Sequence, residues 1–151
     1  MSIFELVKLI HILSAAVLFG TGAGIAFFML SAWRSRQMAW LAMTARHVVL
    51  ADFLFTTTAV IVQPISGIAL IVLAGHDPFS GWLLFTYALY VLVGVCWLPV
   101  VWIQIKVRKL ATQVGEGAWE QIDKLMRVWF VLGWPAFGGV MGIYLLMIIK
   151  P

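Results

Sequence analysis

Charge is scarce in this chain. Only 11% of the 151 residues are Asp, Glu, Lys or Arg, against about 25% in a typical soluble domain. A water-soluble enzyme, a disordered tail and a nucleic-acid module are excluded on that ground. Cysteine is almost missing: Cys96 stands alone, which excludes an intrachain disulfide framework and any multi-Cys metal site. Strict apolar–polar alternation is absent too, so nothing points to strands. Glycine-rich phosphate loops, Walker-type strings and Ser-His-Asp sets are likewise missing. The net charge of +4 does not revive a nucleic-acid partner, because the basic residues lie between apolar blocks, where they set membrane topology.

Apolar residues fill the space that charge leaves, at 64% of the chain, with eight Trp and ten Phe. A spanning helix needs about 20 largely apolar residues to cross about 30 Å of hydrocarbon. Four runs reach that length, at about 9–30, 48–74, 82–105 and 128–149. The string Gly75-His76-Asp77-Pro78 between the second and third is a turn signal. The sequence therefore predicts an all-α, four-transmembrane-helix bundle, with residues 1–151 forming a single integral membrane domain in the lipid bilayer. The first run is too long for the apolar core of a signal peptide and reads as a retained span.

Basic residues orient the bundle. Arg34, Arg36 and Arg46 lie after the first run, and Lys106, Arg108, Lys109, Lys124 and Arg127 after the third. The loop at 75–81 has neither Lys nor Arg. The positive-inside rule then places both termini and the His76 loop outside, N-out and C-out, with a bacterial inner membrane as the expected location. Residues 116–129 put Trp119, Ile122, Leu125, Met126 and Trp129 at helical spacing. That spacing predicts a short interfacial helix before the last span.

Pro64, Pro99 and Pro135 interrupt three of the runs. Each frees the carbonyl four residues earlier, at Val60, Val95 and Val131, and in lipid such a carbonyl needs another partner. Gln63, next to Pro64, is placed to help satisfy it. Gly20-x-x-x-Gly24 and Gly138-x-x-x-Gly142 are small-residue pairs, read either as close helix packing or as room for a flat cofactor. These faces also make a homodimer an expectation.

Polar residues within spans are the default site candidates. His11 lies about one turn into the first run, and at about 3.6 residues per turn it shares a stripe with Ser14, Ala15, Leu18 and Gly22. An imidazole flanked by small side chains suits a porphyrin lying against a helix, and His is a usual haem ligand. Lys8, one turn outward, is placed to pair with a propionate. The competing reading is a His bonded to a neighbouring carbonyl, with Lys8 snorkelling alone.

Lys8-Leu9-Ile10-His11 followed by the apolar run to Phe19-Gly20 resembles the first helix of the HemJ-type protoporphyrinogen oxidases and the CopD-like membrane proteins. The resemblance implies a small helical bundle, with haem b bound at the early His in the HemJ type. At His11–Gly24, Arg46–Phe55, Gln63-Pro64, Cys96-Trp97-Leu98-Pro99 and Trp134-Pro135 the chain is also similar to a bacterial group of predicted integral membrane proteins. It departs from the HemJ type in one respect: that type uses a Lys within the third helix, and 82–105 holds none.

Second axial ligands are sought on the outer side. His76 in the outer loop and Met141 in the last run are the candidates, with Tyr90 and Tyr144 behind them. His47 reads as interfacial. Asp52, about one turn below the cytoplasmic surface, is expected to pair with Arg46 or Arg127, or else to relay protons. Cys96 has no basic neighbour in sequence and reads as inert core. These residues predict a haem b-binding membrane protein in electron transfer or porphyrin-linked redox chemistry, a membrane oxidoreductase with a redox partner in the bilayer. The alternative is a cofactor-free accessory or transport subunit of a membrane complex.

Cysteine labelling checks the topology. Single Cys residues introduced at 34–46 and 108–124 should react only from the cytoplasmic side, and those at 76–80 only from outside. Cytoplasmic labelling of 76–80 would overturn the orientation.

Overall fold

A computed structural model describes residues 1–150, all of them helical or in short connections. Helix α1 runs Ile3–Ser35, α2 Met38–Ala51, α3 Thr57–Ala74, α4 Gly81–Gln113 and α5 Trp119–Ile149. A wider π-type turn at Asp52–Thr56 joins α2 to α3 without a break, giving one span of Met38–Ala74. Four helices are therefore long and apolar enough to cross a membrane.

Local chemistry sets the ends. Ser2 and Glu5 form a capping box: Ser2 Oγ accepts from the Glu5 N–H at 3.2 Å, and Glu5 Oε2 accepts from the Ser2 N–H at 2.7 Å. Gly75, at φ +67°, closes α3 in the left-handed region that favours glycine. The turn that follows is held by Asp77, whose Oδ1 accepts from the Phe79 N–H at 3.0 Å.

Helix α1 packs on α3 and α2, α2 on α4, and α4 most extensively on α5, while α1 and α5 meet through long side chains at a few points. The α4–α5 seam is tight at Gly139, where a Cβ would stand 2.6 Å from Val93 Cγ2. Gly20, Gly24 and Gly138 meet nothing within reach, so only one of the two expected small-residue pairs contributes to packing inside the chain, through Gly142 against Leu89.

The close-packed core sits toward the end of the bundle where α1 closes and α5 begins. Met29, Leu41, Val107, Ile122 and Met126 are all fully buried there. This corrects one expectation. Residues 116–129 are not a separate interfacial helix: a short 3₁₀ turn, Gly115–Ala118, leads into an α5 that continues to Ile149. No helix breaker separates Arg127 from Val128, and the apolar face of this stretch is buried against α1, α2 and α4 rather than laid on lipid. Trp33 Nε1 and Arg36 Nη1 both donate to Asp123 Oδ1, at 2.7 and 2.8 Å, fastening the end of α1 to α5.

Met126→Ala should therefore cost about 2–5 kcal/mol in reversible unfolding in detergent micelles. Leu145→Ala, on a lipid-facing surface that is 56% exposed, should cost under about 1 kcal/mol. Equal effects would place the core elsewhere.

Candidate functional site

Two polar groups of sites lie inside the bundle, one toward each face. The first is built on His11. Helix α3 brings Ser66 to it across the α1–α3 seam, with His11 Nδ1 2.8 Å from Ser66 Oγ. Ser66 Oγ in turn lies 2.7 Å from the Val62 carbonyl and 3.2 Å from the Gln63 carbonyl. A hydroxyl has one hydrogen, and those carbonyls take it, so Ser66 accepts from Nδ1–H. The network thus assigns the proton of the neutral ring to Nδ1 and leaves the lone pair on Nε2. Gly67 lets the ring come close, since a Cβ there would meet His11 Cε1 at 3.4 Å.

The backbone of α1 is tied down around this ring. Gln63 Nε2 donates to the His11 carbonyl at 3.0 Å, and the Tyr144 hydroxyl donates to the Ala15 carbonyl at 2.6 Å. Ser14 Oγ donates to the His11 carbonyl at 3.1 Å. The carbonyl freed by Pro64 is also satisfied, but by another residue than expected: the Tyr90 hydroxyl donates to the Val60 carbonyl at 2.5 Å. Gln63 reaches α1 instead. Tyr90 and Tyr144 are thereby backbone donors.

The second surrounds Asp52, which is 3% exposed. The expected partners Arg46 and Arg127 do not pair with it; the ion pairs among the described residues are Arg36–Asp123 and Lys124–Glu120. Indole and amide donors take their place, because Asp52 faces inward from the π-type turn toward α4. Trp97 Nε1 donates to Asp52 Oδ1 at 3.4 Å. Hydrogen bonding orients the Gln104 amide so that its NH₂ meets Asp52 Oδ2 while its oxygen accepts from Trp129 Nε1 at 3.1 Å. Gln104 is fully buried. A cavity of about 310 Å³ opens above this network, lined by Asp52, Thr56, Tyr90, Trp97 and Trp134 among others.

The remaining predicted residues are dispersed. Lys8 is exposed near the start of α1. His76 is exposed in the loop between α3 and α4, edge-on to Trp82 with ring centroids 5.8 Å apart. Met141 is 53% exposed on α5. His47 Nδ1 sits 2.8 Å from the Met43 carbonyl at the surface, and Cys96 is buried. Leu18 and Gly22 of the His11 stripe line the cavity, but His11 does not. Sequence reasoning missed Ser66, Trp97, Gln104 and Trp129. Ser66 carried a signal, a hydroxyl in an apolar run three residues past Gln63 and so close to its face.

A family model described as a predicted integral membrane protein (DUF2269) matches residues 5–151. No curated protein and no solved structure matches the chain.

Tyr90→Phe leaves the Val60 carbonyl without its cross-helix donor. It should lower unfolding stability by about 0.6–2 kcal/mol in micelles, the range for hydrogen bonds between membrane helices. Tyr87→Phe, on the more exposed side of α4, should change nothing measurable.

Proposed function

The chain belongs to the DUF2269 family of predicted integral membrane proteins, and we propose that it holds a haem b on His11 Nε2 and serves electron transfer in a bacterial inner membrane. One observation carries this reading: the Ser66 hydroxyl accepts from Nδ1–H and so presents Nε2 as the free lone pair. A hydrogen bond of this kind at the far nitrogen fixes ring orientation and raises the basicity of a metal-bound histidine. The donor chemistry at His11 thus fits a haem iron. Bound haem would supply one-electron transfer.

The chain's own residues would do the rest. Gln63 and Tyr144, on the backbone of α1, hold the segment that carries the ring. Gly67 keeps the ring's neighbourhood narrow. Lys8 would meet a propionate at the wet interface. His76 and Met141 are the candidates for a second ligand. Porphyrin-linked oxidation is the less favoured activity, because α4 carries no Lys between Trp82 and Ile105. A redox partner in the membrane and a second copy of the chain complete the proposal. The alternative of a cofactor-free transport subunit draws on the cavity that His11 does not line.

Haem content and absorption spectra of purified variants test the site. His11→Ala should lose most of the haem while the protein still inserts, because insertion follows overall apolarity. Ser66→Ala should weaken haem retention about 10–100-fold, as loss of such a hydrogen bond does. Lys8→Ala should act more mildly, since an exposed pair contributes about 1 kcal/mol or less. His76→Ala and Met141→Leu should each alter the iron spectrum only where that residue is the second ligand. Full haem content and an unchanged spectrum in His11→Ala would refute the site.

A further inference from the structure

The cavity beside Asp52 plays no part in the His11 reading, and its chemistry is distinct. We propose that it binds a small apolar organic cation, an ammonium with an aliphatic or aromatic body, that enters from the bilayer. The juxtaposition behind this is a single buried carboxyl group at the end of an aromatic-walled chamber.

Charge comes first. Asp52 is the one ionisable carboxyl on the wall, and no Lys, Arg or His is among the residues lining it. A carboxylate there has two N–H donors, from Trp97 and Gln104, yet about four lone-pair sites. Hydrogen bonds satisfy part of it and no cation on the wall neutralises it, so a positively charged ligand would complement the ionised form. An anionic ligand would be repelled.

The walls supply the second argument. Trp97, Trp129, Trp134, Tyr90, Phe19 and Phe137 all face the space. Aromatic faces attract cations, most strongly where water is excluded, and such cages recognise quaternary ammonium groups. A hydrated inorganic ion gains little from walls of this kind.

A third feature of the wall is Thr56, which is 5% exposed and lines the same cavity. Thr56 lies one turn along from Asp52 within the same π-type turn, a backbone form found frequently at functional sites. Together the two present a hydroxyl and a carboxyl group on one wall.

Access and size narrow the class further. The cavity reaches the surface at Phe130 and Trp134, which are 41% and 70% exposed on α5. Both lie on the apolar exposed surface of a helix long enough to span the membrane, so the mouth faces lipid. At about 310 Å³ the chamber stands at the lower end of small-molecule sites, about 300–1,000 Å³. One compact amphiphilic amine fits that range.

The test uses the full chain in nanodiscs of zwitterionic lipid, with benzyltrimethylammonium as the cation and neopentylbenzene as its uncharged isostere. Binding is read from Trp fluorescence and confirmed by calorimetry. Neither probe nor readout involves iron, so this proposal and the haem reading fail separately. Wild-type protein should bind the cation at least about tenfold more tightly than the isostere. Asp52→Asn should lose about tenfold for the cation and leave the isostere unchanged. Should the variant fail to fold, the wild-type comparison decides alone. Equal binding of the two probes, no binding of the cation, or full cation affinity in Asp52→Asn would each overturn the proposal.

Discussion

Hydrocarbon offers no hydrogen bonds, so every polar group that enters the bilayer must find its partner in the protein. That constraint organises the membrane-embedded half of this bundle. Pro64 releases the Val60 carbonyl from α3, and Tyr90 of α4 takes it. The same demand draws Gln63 to the His11 carbonyl and Tyr144 to the Ala15 carbonyl, so that α1 is tied to α3 and α5 by single polar posts. These posts matter because apolar side chains gain nothing by leaving lipid for a neighbouring helix, and cohesion must come from packing and cross-helix bonds.

The end of the bundle that holds the close-packed core follows a different rule. There the helices run on beyond the apolar spans and bury Met29, Leu41, Val107, Ile122 and Met126 in a core like that of a soluble protein. Asp123 gathers Trp33 and Arg36 at its edge. One end of the bundle is thus closed by a dense core while the membrane half is packed more loosely. Loose packing is what permits a cavity, and small residues such as Gly22 and Gly94 keep it open. The two polar groups are separated accordingly, His11 near the start of α1 and Asp52 toward the core.

Much of this was legible in the sequence. Hydropathy and length gave the four spans. Proline positions identified the Val60 carbonyl as needing a partner. The partner itself was not legible, because Tyr90 lies 30 residues away and its choice depends on how α4 sits against α3. Gln63 was nearer in sequence and bonded elsewhere. Asp52 shows the same limit: electrostatics favoured an arginine, whereas the π-type turn aimed the carboxyl inward at Trp97 and Gln104. His11 stood out as a polar residue in an apolar run, but its tautomer rests on Ser66, 55 residues on. The continuous α5 was misjudged for another reason: an amphipathic face has the same periodicity whether it meets lipid or a protein core.

The central claim is that the outer half of the bundle holds a haem through an imidazole oriented by Ser66. It is tested most directly by the absorption spectrum of the wild-type protein, purified in mild detergent from cells supplied with haem precursor, together with a pyridine haemochrome assay. The account predicts a Soret band and haem b in stoichiometric amount. A colourless protein that stays colourless after incubation with haem would contradict it.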